Sequence, residues 1–169
     1  PYSSKPGYAS VTEAFSGFRF LNGFPEDVPV RPNLSLGDSV AGVHAALGIL
    51  LALLARKDSQ QGQVIDVALY EAMFNLMEGV VPEYDGAGAI REPAGSTLTG
   101  IVPTNTYLCR DGKHVVIGGN GDSIYVRLMT AIGREDLAND PDLGSNAGRV
   151  EQQQLIDAAI GGWTSAHSS

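Results

Sequence analysis

The sequence predicts an α/β protein: a layered first domain, then a smaller α+β unit. Order carries the first expectation. An apolar stretch from Val40 to Ala55 is followed by the β-branched run "GQVIDVAL" (Gly62–Leu69) and then by "YEAMFNLMEGVV". Helix, buried strand and helix in succession make layers. The second expectation comes from Asp111-Gly112, a strong hairpin turn signal between the strand-like runs of "TYLCRDGKHVVIGG", with helical patterns after it.

Each element has its own reason. In "YASVTEAFSGF", Val11, Ala14, Phe15 and Phe18 recur at helical spacing. "NGFPEDVPVRPN" (Asn22–Asn33) carries three prolines and reads as a loop. Asp38 then opens the long apolar helix, which closes near Arg56 and Lys57, where the helix dipole favours cations. Gly62–Leu69 is short, continuous and apolar, as a strand buried on both faces should be. "PEYDGAGAIREPAGSTLTGIVPTN" holds no sustained period and reads as a linker or mobile loop. After the hairpin, "DSIYVRLMTAIG" is a capped amphipathic helix ending at Gly133, "DLANDPDL" a turn, and "RVEQQQLIDAAIGGW" a final helix. The chain divides accordingly into residues 1–81, a linker at 82–103, and a small α+β unit at 104–169 that its end cuts short.

Composition narrows the function classes. The 169 residues are 43% hydrophobic and 18% charged, enough for a soluble core. A net charge of -8 with scattered basic residues excludes a nucleic-acid surface, which needs clustered Lys and Arg. The single cysteine, Cys109, allows no internal disulfide, suits a reducing cytoplasm, and reads as a buried bystander thiol. Val40–Ala55 is short for a bilayer span and contains His44, so it reads as a core helix rather than a membrane segment. The chain opens on "PYSSKPGY" and stops on "WTSAHSS", which reads as a fragment or processed product.

Familiar chemical motifs are scarce. His44, His114 and His167 lie far apart and lack zinc-site spacing, so no metal is expected. His44 reads as a hydrogen-bonded core or interface histidine, and His114 as solvent-facing. No G-x-S-x-G elbow is present. "GGNGDS" (Gly118–Ser123) lacks the P-loop ending, yet it joins a strand to a helix N-terminus. It reads either as a tight turn or as an anion contact through free N–H groups. Asp38 is equally open on local physics: its carboxylate can cap the helix or do chemistry there, and Gly37 before it would let a ligand approach.

"GYASVTEAFSGF", "PVRPNLSLGDSVAGVHAALGILLALLAR" and "GQVIDVALYEAMF" resemble, in order and spacing, the class III CoA-transferases of the CaiB/BaiF type. That family includes formyl-CoA transferase, carnitine CoA-transferase and the α-methylacyl-CoA racemases. "PTNTYLCRDGKHVVIGGNGDSIYVRLMTAIGREDLANDPDL" resembles its small domain. The resemblance implies that residues 1–81 are the later part of a large Rossmann-like domain and that full-length chains form interlocked homodimers.

It also implies a chemistry. Asp38 matches the family's nucleophile, a carboxylate that attacks an acyl-CoA and passes through an aspartyl-CoA thioester. The implied partners are acyl-CoA and a small carboxylic acid, with CoA a substrate and no tightly bound cofactor. Tyr8 falls on a CoA-contacting tyrosine, thirty residues before Asp38. Lys5 lies near a basic residue preceding it, and Leu69 matches an apolar residue beside the CoA thiol. Arg31, in "PVR", recurs as a family pattern with a binding or structural role. Gly95 and Gly100 stand, separated, where formyl-CoA transferase has a glycine run that closes over the site. Racemases of the family use a histidine–aspartate pair at the position occupied here by Tyr8-Ala9, so transfer is favoured over racemisation. Succinyl-CoA with a dicarboxylic acceptor is the substrate class implied; a racemase and a non-catalytic member or inactive fragment stay as alternatives.

Overall fold

The computed structural model describes residues 4–169. It divides into two compact units, the first ending at Pro93 and the second running from Ala94 to Ser169.

The first unit is helical. Its elements are α1 (Ala9–Phe15), α2 (Phe18–Leu21), α3 (Leu36–Ser59), α4 (Leu69–Phe74) and α5 (Val80–Ala87). Small residues let the helices approach: Ala9, Ala41 and Ala72 are buried, with Met73 and Met77 filling the space between. Phe15 of α1 meets Tyr70 of α4 edge-on, with ring centroids 5.3 Å apart.

Three expectations change here. Gly62–Leu69 is not a strand: residues 61–68 are extended without a ladder, and Val64 is 93% exposed. A parallel strand needs neighbours on both edges, and among the described residues of this unit there is none. The run instead lies along α3, with Ile65 Cγ2 only 2.9 Å from where a side chain on Gly48 would begin. The segment read as a linker from residue 82 begins inside α5, because Pro82 occupies the first helical turn, where its missing N–H costs nothing. The helix expected across "YEAMFNLMEGVV" is broken by a 3₁₀ turn at Asn75–Met77 and by Glu78, whose φ is 51°.

The long helix forms as its composition dictates, but not as a core helix of this chain. Leu36–Ser59 is long and apolar enough to cross a membrane by length and composition, and only 6% of its most apolar stretch is buried. Val43, Leu47, Leu50 and Leu54 are each more than half exposed. Among the described residues nothing covers this face.

The second unit packs a hairpin, β1 (Thr104–Leu108) and β2 (His114–Gly118), beside α6 (Asp122–Ala131), α7 (Glu135–Ala138), α8 (Asn146–Glu151) and α9 (Gln153–Ser165). The strands pair antiparallel, Thr104 opposite Gly118 and Leu108 opposite His114. Gly112 takes the left-handed φ of 78° that the Asp111-Gly112 turn requires. Tyr107 from β1 meets Tyr125 and Met129 of α6, Leu143, and Ile156 and Ile160 of α9 in one core. The final helix is divided at Gln152 into α8 and α9. Cys109 is buried and His114 exposed.

Candidate active site

The start of α3 is built against α1, and the joint between them is Gly37. The helix begins at Leu36 with Ser35 at its N-cap, so Asp38 is the third helical residue and not the cap itself. Gly37 is buried. Its backbone N–H donates to Glu13 Oε1 at 3.2 Å. A side chain at position 37 would begin 3.2 Å from Ala9 Cβ and 3.3 Å from Glu13 Oε1. The glycine is therefore needed for helix packing.

Glu13 is fully buried, and its charge is answered on the other oxygen. Arg19 donates to Glu13 Oε2 at 3.2 Å and to Ser10 Oγ at 2.7 Å. Arg31 brings its Nε within 3.6 Å of the same Oε2. Asn22 positions Arg31 by closing the proline-rich loop: its side-chain amide donates to the Val30 carbonyl at 3.1 Å. A buried carboxylate with two guanidiniums and an amide donor is well satisfied, and breaking it would strand charge in the interior. Arg31 is thereby held in an ion pair with Glu13.

This arrangement leaves Asp38 on the open side of the joint. It is exposed, and its carboxylate has no hydrogen bond or ion pair among the described residues. First-turn amides have no intrahelical acceptor. Gly37's is spent on Glu13; those of Leu36 and Asp38 are not taken up by any described residue. The helix dipole there favours negative charge. A free carboxylate beside unspent N–H donors is an arrangement able to attack a carbonyl and to stabilise the oxyanion that results.

Tyr8 and Asp38 each adjoin, in sequence, a residue of the close approach between Ala9 and Gly37. Tyr8 is the N-cap residue of α1; its carbonyl accepts the Val11 and Thr12 amides, while its side chain is 78% exposed. Lys5 lines an apolar groove of about 270 Å³ with Gly7, Val11, Phe15 and Tyr70. Leu69, half-buried at the first position of α4, precedes that Tyr70. Lys5, Tyr8, Leu69 and Asp38 thus all belong to the α1, α3 and α4 assembly. Gly95 and Gly100 belong to the second unit, where both take left-handed φ angles of 65° and 79°.

His44, read as a hydrogen-bonded core or interface histidine, is hydrogen-bonded but only half-buried, with Nδ1 2.9 Å from the Val40 carbonyl and Nε2 3.3 Å from Asn75 Nδ2. Among the described residues no group of His, Cys, Asp or Glu is assembled to hold a metal ion. Glu13 was not legible as a site residue: a lone glutamate on a short helix reads as solvated, and only its spacing to Arg19 hints at a partner.

Comparison with known proteins agrees with this fold. The model of CoA-transferase family III matches residues 1–169, and the chain belongs to that family. A succinyl-CoA–D-citramalate CoA-transferase of Chloroflexus aurantiacus is 44% identical over 97% of the chain, which covers 41% of that relative. The alpha subunit of a succinyl-CoA–L-malate CoA-transferase from Chloroflexus aurantiacus is 35% identical over 96% of the chain and 38% of its own length. A succinyl-CoA:mesaconate CoA-transferase of Haloarcula marismortui is 31% identical over 98% of the chain and 41% of its own length. The crystal structure of a CaiB/BaiF family protein from Brucella suis superposes on 99% of the chain with a TM-score of 0.75 and 26% identity, matching 44% of that protein. The chain thus spans about two fifths of the length of the relatives it matches.

Proposed function

We propose that the protein carrying this chain moves CoA from an acyl-CoA donor to a carboxylic acid, with Asp38 as the covalent carrier. The observation that carries this reading is the state of Asp38: an exposed carboxylate without a partner, on a helix start held from behind by Glu13 and Ala9. The similar enzymes named above support succinyl-CoA as donor and a dicarboxylate as acceptor.

In this reading an Asp38 carboxylate oxygen attacks the donor thioester carbonyl. CoA thiolate leaves, and a mixed anhydride remains on the side chain. The thiolate returns to the aspartyl carbonyl, releasing the donor acid and forming an aspartyl-CoA thioester. The acceptor carboxylate then attacks that thioester, expelling the thiolate and forming a second anhydride. Thiolate attack on the acceptor carbonyl yields the new acyl-CoA and returns the Asp38 carboxylate. The amides of Leu36 and Asp38 are the donors this chain offers to the oxyanions on the way. Exclusion of water preserves the thioester.

The remaining roles follow from the family resemblance. Tyr8 and Lys5 are assigned to CoA, with Lys5 suited to a phosphate, and Leu69 to the thiol end. Gly95 and Gly100 are assigned to substrate binding, as the family resemblance implies. The bare apolar face of α3 is assigned to the interior of a longer, Rossmann-like domain in an interlocked homodimer, so no membrane or nucleic acid is invoked, and a cytoplasmic location fits. Tyr8-Ala9 disfavours racemisation: it stands where racemases of the family have a histidine–aspartate pair, and without that histidine one of the two acid/base groups is missing.

Transfer from succinyl-CoA to a panel of dicarboxylates, measured for the unsubstituted protein and for Asp38→Ala, tests the reading. The expected loss is about a thousandfold or more in kcat, as for other removed nucleophiles. Transfer that persists in Asp38→Ala would overturn it.

A further inference from the structure

We infer that Glu13 is a positioning residue for Asp38, acting through the Gly37 amide, with Arg19 and Arg31 fixing the carboxylate that does so. The inference rests on Asp38 as the nucleophile of the proposed function.

The helix that carries Asp38 begins on a serine that does not cap it. Ser35 holds the N-cap position, where a hydroxyl ordinarily accepts the second or third helical amide, yet its side chain makes no such bond. The second amide, that of Gly37, goes instead to Glu13 Oε1 on α1 at 3.2 Å. A cap supplied by Ser35 would tie the first turn of α3 to the loop before it. A cap supplied by Glu13 ties that turn to the helix against which Gly37 packs. Asp38 comes next, its Cα only about 3.8 Å from that of Gly37 across one peptide.

The other oxygen of Glu13 is held in turn. Arg19 Nη2 donates to Oε2 at 3.2 Å and to Ser10 Oγ, one turn earlier on α1, at 2.7 Å. Arg31 Nε lies 3.6 Å from the same Oε2. Arg31 follows a loop closed by two bonds between Asn22 and Val30: Asn22 Nδ2 donates to the Val30 carbonyl at 3.1 Å, and Val30 N–H to the Asn22 carbonyl at 3.4 Å. The α2 helix and the proline-rich loop thus meet on one oxygen of Glu13, and α3 hangs from the other.

Two consequences bear on catalysis. A nucleophile displaced by about 1 Å loses about a hundredfold in rate, so the anchor one residue away bears on kcat. The Gly37 N–H, spent on Glu13, is also withheld from the Asp38 carboxylate, which has no partner among the described residues and keeps its lone pairs for attack. Glutamine at position 13 cannot serve both ends. With its oxygen on Gly37, its NH₂ faces two guanidiniums that only donate; turned over, its NH₂ faces the Gly37 N–H.

The test compares Glu13→Gln, Arg31→Gln and Ser16→Ala in the protein carrying this chain, each checked for native circular dichroism. Glu13→Gln is expected to slow both transfer turnover and single-turnover labelling of Asp38 by about tenfold or more, with the KM for succinyl-CoA within about twofold. Arg31→Gln leaves Arg19 on the carboxylate, and a fall of about threefold in kcat with the same KM is expected. Ser16→Ala deletes a buried 2.9 Å bond to the Glu13 carbonyl without touching the carboxylate, so kcat should stay within about twofold. If Glu13→Gln does not fold, Arg31→Gln decides: unchanged kcat, or a rise in KM alone, overturns the inference. A folded Glu13→Gln with unchanged labelling also overturns it, as does an equal loss in Ser16→Ala, the mark of helix stability alone. Absence of label on Asp38 in the unsubstituted protein overturns the underlying reading instead.

Discussion

Gly37 donates its backbone N–H to the buried Glu13 carboxylate at 3.2 Å, which ties the residue before Asp38 to α1. Two consequences follow from that bond. The backbone that carries Asp38 is fixed from the core side, and one of the three first-turn amides is removed from any ligand. A buried acid with two arginines thus serves as the base on which an exposed acid is mounted.

Gly37→Ala is expected to destabilise the chain by about 1–3 kcal/mol, the range for an overpacked methyl. Alanine is ordinarily the better helix former by up to about 1 kcal/mol, so the sign depends on whether the neighbours can move. Ala9 Cβ moves only with its backbone, and Glu13 is held by Arg19 and Arg31. Packing therefore wins. Denaturant unfolding followed by far-ultraviolet circular dichroism checks this, and a more stable Gly37→Ala variant would contradict it.

Glu13→Ala should cost more than Glu13→Gln. Removing the carboxylate leaves Arg19 without its interior counter-charge, and its Nε already lacks a partner among the described residues. Breaking a buried pair costs about 3–5 kcal/mol. Glutamine retains an oxygen for the Gly37 N–H and should recover part of the loss. The two unfolding midpoints, measured side by side, decide the order.

Gly148→Ala should be among the most damaging single methyl additions in the second unit. A side chain there would collide with the Asp142 carbonyl oxygen, a backbone atom that cannot turn aside. A loss near the upper end of the overpacking range, about 3 kcal/mol, is expected. Loss of the near-ultraviolet signal of Trp163 would report it, and a native signal with an unchanged midpoint would refute it.

Alkaline pH should weaken the second unit through Tyr107. Burial, with a 2.5 Å hydrogen bond to Asp157 Oδ1, pushes its phenol well above the usual tyrosine range. The folded state therefore keeps a proton that the unfolded chain releases at about pH 10, so this contribution is intact below pH 10 and falls as pH rises above it. Tyr107→Phe removes the proton and the slope with it. Stability measured from pH 8 to 11 should decline less steeply in Tyr107→Phe, and parallel curves would refute the assignment.

The sequence announced elements whose cause is local. The apolar run fixed α3, Asp111-Gly112 fixed the hairpin, and the family pattern singled out Asp38. What it missed depends on tertiary partners. Gly62–Leu69 has strand composition, yet without neighbouring strands it lies extended along α3. Glu13 and Arg149 look like ordinary charged residues on helices, and only the fold reveals that both are buried anchors. Gly37 likewise shows in the sequence no sign of its packing against Ala9 and Glu13. Local chemistry was readable residue by residue; the reasons for burial were not.

The central claim is that Asp38 carries the acyl group and then CoA. The most direct measurement is mass spectrometry of the Asp38 peptide after the protein carrying this chain meets succinyl-CoA and is quenched with hydroxylamine. A hydroxamate on Asp38, formed only when succinyl-CoA is present and absent from Asp38→Ala, is the predicted result. An unmodified Asp38 peptide from protein that is actively transferring CoA would contradict it.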